Sequence, residues 1–249
     1  MAKKAKKAPV VLKVRDPITT QSRELHENLM ELPSLTLIIA GTKQGKSNYI
    51  LNLLANSDFI GSDSETEKEF FEHIKVISTT LNADPKGAIY NELFDCEDHY
   101  SDKMIKDLIQ SQKKYGSRDE MPYTCLVLDD VLTPDFKKSN EVSMISSRFR
   151  HFNIGLYILA TQSCRAVAPM IRSNATDIII FKQNNSKEYD KIKEEWSPLF
   201  GDEKNFDKIY NYAINHAPYS FLFLKLSQNP AEAFRCHEQK IAEGEKLLF

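Results

Sequence analysis

The sequence has no long apolar run. Its longest largely apolar segments, such as residues 35–40 and 178–181, are far shorter than the ~20 residues that a helix needs to cross a bilayer. The basic amino-terminal residues are followed by no uninterrupted apolar segment of the kind found in a secretory signal. The sequence therefore predicts no membrane-spanning segment and an intracellular protein.

Cysteine and histidine are also scarce. The chain has four cysteines with no CxxC pair and six histidines with no HxxxH pair or other zinc-binding spacing. Widely separated cysteines in an intracellular chain are usually reduced and structural. We expect no disulfide framework and no zinc site.

Composition predicts a single folded domain with a charged amino-terminal arm. The chain has 249 residues, 41% of them hydrophobic, enough for one large core. Six of the 33 basic residues lie in the first fifteen positions, where there is no acidic residue. Such an arm is either solvated and solubilising, or a tether for nucleic-acid phosphates or an address signal. We expect an arm at residues 1–17, a domain at 18–235 and a tail at 236–249.

A strand, a phosphate-binding loop and a helix are predicted in succession. Residues 35–39 form an apolar strand, and residues 48–54 form a helix with one apolar face. The segment between them fits the P-loop pattern with alanine in place of the first glycine, and its residues are Ala40, Gly41, Thr42, Lys43, Gln44, Gly45, Lys46 and Ser47. In such a loop, backbone N–H groups surround the β-phosphate, the lysine reaches the β/γ oxygens and the serine hydroxyl binds Mg²⁺. The sequence predicts a site for a nucleotide and its Mg²⁺, with no other metal.

A second apolar strand ends in two carboxylates. Residues 123–128 are largely apolar and are followed by Asp129 and Asp130. This pattern resembles a Walker B segment, in which the first acid holds Mg²⁺ through water. The second acid is placed to orient or deprotonate the attacking water. An apolar strand ending in aspartate is common, so the motif gains its meaning from the preceding P-loop.

A third strand ends in polar residues. Residues 155–163 are predicted to form a strand that finishes with Thr161, Gln162 and Ser163. The Gln162 amide is placed to bridge the γ-phosphate and the attacking water as a sensor. The other interpretation is a simple polar cap at a strand end.

The remaining pattern predicts an α/β fold with a mainly parallel sheet and helices on both faces. Further helices are predicted at residues 19–32, 102–112, 141–152 and 182–196, and further strands at 73–78, 178–181 and 219–226. The distance from Lys46 to Asp129 leaves room for an additional strand between the P-loop strand and the Walker B strand, as in motor-type (ASCE) P-loop NTPases. No NKxD segment of a GTPase is present. A small-molecule kinase is the second choice among enzymes, although such kinases usually carry an arginine-rich lid.

Taken in order, these motifs resemble the FtsK/HerA superfamily, and most closely the genome-packaging ATPases of poxviruses, other large DNA viruses and virophages. The resemblance covers roughly residues 35–181, including the segments 150–151 and 172–177. It implies an ATP-hydrolysing translocase that drives double-stranded DNA into a preformed capsid. It also implies a homo-oligomeric ring, a capsid vertex or portal partner, and a location in the host cytoplasm, at the viral assembly site or in the virion.

The resemblance also implies a role for each residue. Lys46 and Ser47 would hold phosphate and Mg²⁺, Asp129 would be the Mg²⁺-side acid, Asp130 the catalytic carboxylate and Gln162 the sensor. Many relatives have glutamate where this chain has Asp130, so the attacking water must lie closer to the backbone or be reached through a second water.

Three arginines are candidates for a finger inserted into a neighbouring subunit's site. Arg150 is the first choice because it precedes the sensor strand, and Arg148 and Arg172 are alternatives. The other interpretation is that they are ordinary surface arginines. Candidate DNA-contacting residues are Lys113, Lys114, Lys137, Lys138 and the amino-terminal lysines. Three alternative functions stay open: a cellular FtsK/HerA-like DNA pump, a small-molecule kinase and an ATP-gated interaction switch.

Overall fold

The computed structural model describes residues 27–56, 59–60, 70–83 and 85–249. The strands are β1 Ser34–Ile39, β2 His73–Ser78, β3 Asp95–Glu97, β4 Thr124–Asp129, β5 Ile154–Thr161, β6 Asp177–Phe181, β7 Phe221–Lys225, β8 Glu232–Arg235, β9 Gln239–Glu243 and β10 Lys246–Leu247. The α-helices are α1 Lys46–Ala55, α2 Gly87–Leu93, α3 Asp102–Gln112, α4 Pro134–Lys138, α5 Asn140–Arg148, α6 Pro169–Asn174, α7 Ser186–Trp196 and α8 Glu203–Ile214. The expected arm at residues 1–17 and most of the expected helix at 19–32 lie outside the described residues, and residues 27–32 form turns and irregular backbone.

The ten strands of the described residues belong to one sheet in the order β10-β9-β8-β7-β6-β1-β5-β4-β2-β3. Strands β6, β1, β5, β4, β2 and β3 are parallel. Strands β7 to β10 extend the sheet in antiparallel fashion beyond β6. Strand β5 pairs with both β1 and β4, so the additional strand expected between the P-loop strand and the Walker B strand is confirmed.

The central strands are buried on both faces, as their apolar composition predicts. Every residue of β1 and β5 is buried. Leu37 and Ile39 of β1 pack into the core that includes α3, α5, α7 and α8, while Ile38 packs into the opposite core with Ile50 and Leu53 of α1. The helices therefore cover both faces, and the expected α/β class is confirmed.

The prediction of a carboxyl-terminal tail at residues 236–249 is wrong. Strands β9 and β10 occupy much of this segment and pair within the sheet, with Ile241 and Ala242 fully buried. Phe249 stacks on Tyr212 of α8 with ring centroids 4.0 Å apart. The folded domain therefore continues to the last residues of the chain. No helix in the described ranges is long and apolar enough to span a membrane.

Candidate active site

The functional segments meet at one edge because parallel strands end on the same side of a sheet. Strand β1 leads into the P-loop, β4 ends at Asp129, and β5 leads to Gln162. The pairing aligns Ile39 with Thr161 and Asp129 with Ala160. The P-loop, the two carboxylates and the glutamine are thus brought together, as the sequence motifs predict.

The P-loop adopts a tight turn anchored on the neighbouring strand. The Ala40 amide donates to the Thr161 carbonyl at 3.0 Å. Gly45 has φ +97° and Lys43 has φ +61°. Glycine is the residue that accepts such a φ without strain, which explains Gly45 immediately before α1. Ala40 is fully buried and does not have a positive φ, so its methyl group is tolerated where many P-loops have glycine.

Lys46 forms ion pairs with both carboxylates. Its Nζ lies 2.8 Å from Asp129 Oδ1 and 2.5 Å from Asp130 Oδ2. The side chains of Lys46 and Asp129 are only 9% and 8% exposed, and that of Asp130 is 17% exposed. Shielding from solvent strengthens these electrostatic interactions. The P-loop lysine and the Walker B pair therefore form one charge cluster.

Asp129 lies in an environment that opposes its ionisation. Burial raises the pKa of Asp129, the Lys46 ammonium opposes this rise, and the Asp130 charge adds to it. Ser78, at the end of β2, donates to Asp129 Oδ2 at 3.3 Å. Ser47 and Asp129 line one small cavity of about 10 Å³ beside α1.

Asp130 is held by its backbone just after the end of β4. Its φ is +55°, its amide donates to the Ala160 carbonyl at 2.9 Å, and its carbonyl accepts from Thr79 Oγ1 at 2.9 Å. A left-handed conformation in a residue other than glycine is uncommon, although aspartate is among those that accept it. Thr79 thus joins the site from the end of β2. Thr79 could have been identified from the sequence in the same way as Gln162, because it is a polar residue that follows an apolar strand.

Gln162 connects the P-loop to Asp130. Its Oε1 accepts from Thr42 Oγ1 at 2.9 Å, and its Nε2 donates to Asp130 Oδ2 at 3.4 Å. A simple strand-end cap would bond to nearby backbone groups. The two side-chain partners instead place the amide between the P-loop and the second carboxylate.

The donor set suits Mg²⁺ held mainly by a nucleotide. Ser47 and Asp129 offer a hydroxyl and a carboxylate oxygen around one cavity, and Mg²⁺ prefers oxygen ligands together with substrate phosphates and water. Within the described ranges, no group of three or more histidine, cysteine or acidic side chains is arranged to hold a metal by itself. The residues therefore fit an ion that arrives with phosphates.

The arginine candidates differ in exposure. Arg150 is exposed in the short helix Phe149–Phe152, against the Phe149 ring at 5.3 Å. It precedes β5, whereas Gln162 follows the same eight-residue strand, so at about 3.3 Å per residue the two lie roughly 20 Å or more apart. Arg148 is also exposed on this side. Both arginines therefore lie far from the P-loop of their own chain.

The structure argues against Arg172 as an arginine finger. It is 8% exposed, its Nε donates to Glu195 Oε2 at 3.1 Å, and its Nη1 donates to the Val167 carbonyl. To enter another subunit's site, this buried arginine would have to give up both its ion pair with Glu195 and its hydrogen bond to the Val167 carbonyl. We therefore assign Arg172 a structural role, joining α6 to α7.

The candidate DNA-contacting lysines do not form one surface. Lys113 and Lys114 follow α3 at the amino ends of the strands, where Lys113 lies over the Phe152 ring at 5.6 Å. Lys137 and Lys138 lie on α4, which follows β4 at the P-loop edge. All four are exposed. The amino-terminal lysines lie outside the described residues.

The parallel order β6-β1-β5-β4-β2, the P-loop and the aligned carboxylates define a P-loop NTPase fold of the additional-strand type. Known structures share it. B204, the DNA-packaging ATPase from Sulfolobus turreted icosahedral virus, superimposes with a TM-score of 0.57 and 16% identity over 82% of this chain and 98% of that chain. The genome-packaging NTPase B204 from Sulfolobus turreted icosahedral virus 2, in complex with ATPγS, gives 0.54 and 18% over 82% and 97%. EssC ATPases 2 and 3 from Geobacillus thermodenitrificans give 0.51 and 15% over 87% and 42%. At these identities the similarity shows a common fold.

Sequence relatives occur in two invertebrate iridescent viruses. The chain is 26% identical to protein 088R of Invertebrate iridescent virus 3 over 71% of its own length, and 30% identical to protein 075L of Invertebrate iridescent virus 6 over 48%. The matches span 64% and 48% of those two uncharacterized proteins. A scan against protein-family models found no match.

Proposed function

We propose that this chain is an ATP-hydrolysing double-stranded DNA translocase that packages a viral genome into a preformed capsid. The proposal rests on the convergence of four side chains at one edge of the sheet, those of Lys46, Asp129, Asp130 and Gln162. The Gln162 amide is hydrogen-bonded to Thr42 of the P-loop and to Asp130. A pure nucleotide-binding switch does not need this hydrolytic set. The fold shared with the packaging ATPase B204 and the relatives in two invertebrate iridescent viruses support the choice of viral DNA packaging.

Each residue has a chemical role in this proposal. The P-loop amides and Lys46 bind the β- and γ-phosphates, and Ser47 and Asp129 hold Mg²⁺. When bound, Mg²⁺ supplies positive charge that offsets the charge developing on the phosphate oxygens. Asp130 accepts a proton from the attacking water, and Gln162 orients that water.

The position of Arg150 supports a ring in this proposal. The residue is exposed and lies at the opposite edge of the sheet from its own P-loop, so it would complete a site only in trans. A cation supplied in trans can raise the rate by ~10³ or more. A homo-oligomeric ring would provide this contact and a channel for DNA, and a capsid vertex or portal component would anchor it at the viral assembly site in the host cytoplasm.

The test is steady-state ATP hydrolysis by the purified chain with and without long double-stranded DNA. We expect hydrolysis that rises with DNA and disappears in Lys46→Ala, whereas Lys106→Ala, an exposed lysine paired with Glu141, serves as the matched control. Hydrolysis that ignores DNA but requires a small-molecule acceptor would indicate a kinase. Tight ATP binding without turnover under both conditions would indicate an interaction switch. A cellular DNA pump would also be stimulated by DNA. A test of packaging itself must therefore measure the loading of DNA into capsids.

A further inference from the structure

Tyr219 is an exposed aromatic residue beside the P-loop that the hydrolytic set leaves unused. Its relative exposure is 65%, the largest among the exposed hydrophobic residues of the described ranges. A Cβ placed on Gly45 would lie 3.1 Å from Cδ1 of Tyr219 and 3.4 Å from its Cβ. The ring therefore borders the loop residue that directly precedes Lys46.

The ring lies on the side of the P-loop where a nucleoside would lie. Strand β1 has β5 and then β4 on one side, and β6 and then β7 on the other. The groups suited to the γ-phosphate, Asp130 and Gln162, follow β4 and β5. Tyr219 precedes β7, whose first residue pairs with Phe181 at the end of β6. A triphosphate with its γ-end at Asp130 would direct its nucleoside toward Tyr219.

A constrained turn holds the ring in solvent. Tyr219 has φ +64°, an uncommon conformation for a bulky side chain that is often associated with function. The Ser220 amide donates to the Ala217 carbonyl at 3.2 Å, and Ser220 Oγ accepts from the Ala217 amide at 3.1 Å. The next residue, Phe221, packs against Tyr49 of α1 with ring centroids 5.1 Å apart. The turn is thus fixed to the helix that follows the P-loop.

A second segment borders the P-loop on the same side. A Cβ placed on Gly41 would lie 3.4 Å from the Lys182 carbonyl oxygen and 4.0 Å from Asn184 Nδ2. Both residues follow β6, the strand next to β7. An aromatic ring and a polar segment therefore both border the P-loop, and this combination is usual in small-molecule and cofactor sites.

We propose that Tyr219 is the platform on which the base of the bound nucleotide stacks. The assignment rests on the proposed nucleotide-binding function and adds the residue that recognises the nucleoside. Every base has a π-face, so stacking provides affinity with little choice among bases. ATP, GTP and CTP would all gain from the ring, whereas inorganic tripolyphosphate would not.

The experiment compares MgATP with magnesium tripolyphosphate by titration calorimetry. Tyr219→Ala is expected to weaken ATP binding about 5-fold to 150-fold, the range found when stacking residues are truncated, and to leave tripolyphosphate binding unchanged. Tyr219→Asn removes the ring with a residue that accepts positive φ, so it should reproduce this loss without adding strain. Tyr219→Phe should retain the wild-type affinity for both ligands.

Two controls separate this proposal from the proposed function. Tyr115→Ala removes another exposed tyrosine, which follows α3 at the opposite sheet edge, and should change neither affinity. Lys46→Ala should weaken both ligands. Equal weakening of ATP and tripolyphosphate in Tyr219→Asn, or unchanged ATP affinity, would overturn the platform while nucleotide binding stood. A wild-type chain that bound neither ligand would overturn the proposed function itself.

Discussion

Replacing Lys46 by alanine is expected to destabilise the protein before any nucleotide is added. The Lys46 ammonium contacts Asp129 at 2.8 Å and Asp130 at 2.5 Å, and all three side chains are at least four-fifths buried. The substitution leaves two adjacent carboxylates largely shielded from water without a counter-charge. The variant commonly used as an inactive blank would thus differ from the wild type in stability as well as in activity.

The size of the effect follows from burial. Removing one partner of a buried ion pair typically costs about 3–5 kcal/mol. Asp130 is 17% exposed, and Asp129 can take up a proton, so we expect the lower part of that range or slightly less, about 2–4 kcal/mol at pH 8.

The pH dependence has a definite sign. Burial already raises the pKa of Asp129, and loss of Lys46 removes the charge that opposes this rise. In the variant, the folded state therefore binds a proton that the unfolded state releases above its ordinary pKa. The free energy of unfolding of the variant should fall relative to the wild type as pH rises from about 4, the ordinary pKa of an aspartate.

Urea unfolding at pH 5 and pH 8 measures both effects. Lys46→Ala should lose more stability at pH 8 than at pH 5, and adding Asp130→Asn to it should restore part of the loss. Lys106→Ala, whose side chain is 54% exposed, should change stability by at most about 1 kcal/mol. If Lys46→Ala unfolded at the wild-type urea concentration at both pH values, the charge cluster would not have the energetic role described above.

Three further predictions concern the sensor, the finger and a buried acid. Gln162→Ala should lower kcat by about 10² with little change in the Kd for ATP, because the variant loses one preorganised hydrogen-bond donor. The control is Gln228→Ala, which removes a glutamine that is hydrogen-bonded to Glu31 away from the P-loop. An equal loss of kcat in both variants would contradict the sensor role. Arg150→Ala and Lys46→Ala should each be inactive in hydrolysis alone but regain turnover when mixed, because one subunit supplies the intact P-loop and the other the arginine; mixtures that stay inactive argue against a finger in trans. Burial raises the pKa of Asp177 from 3.8 to about 6, so the free energy of unfolding of the wild type should fall by up to about 3 kcal/mol as pH rises from 4 to 7. Asp177→Asn should remove this pH dependence when stability is measured by urea unfolding. The same pH dependence in both proteins would refute the assignment.

The sequence was sufficient for elements with strong local patterns. The strand expected at residues 35–39 is β1 Ser34–Ile39, and the helix expected at 102–112 is α3 with the same bounds. Both have apolar residues at the spacing of their own structure, and the P-loop adds a fixed order of strand, loop and helix. Such signals do not depend on distant parts of the chain.

The last three strands of the antiparallel extension, β8 to β10, were missed for a physical reason, whereas β7 lies within the strand predicted at residues 219–226. In β9, only Ile241 and Ala242 are buried, and the strand becomes stable by pairing with β8. A short, half-exposed strand has little apolar signal of its own. Helix α8 is different, because Phe206, Ile209, Tyr210 and Ala213 are buried at helical spacing and could have been recognised.

The sequence also could not identify the contact partners of individual side chains. The strand ends indicated Asp130 and Gln162, but the hydrogen bond from Thr42 to Gln162 joins residues 120 positions apart. Arg172 looked like an available cation in the sequence. Its ion pair with Glu195 on another helix appears only in the folded structure. Residue type at a strand end was predictable, whereas the partner of each side chain depended on long-range packing.

The contacts of Asp130 suggest how phosphate binding would prepare hydrolysis. Its backbone is fixed by Ala160 and Thr79, so its carboxylate is the group that is free to respond. That carboxylate contacts Lys46 at 2.5 Å and Gln162 at 3.4 Å. A γ-phosphate competes for the Lys46 ammonium, because phosphate oxygens are strong acceptors of charge-assisted hydrogen bonds. Asp130 would then keep Gln162 as its partner and gain an acceptor oxygen for water, so the general base would become available only when the triphosphate is in place.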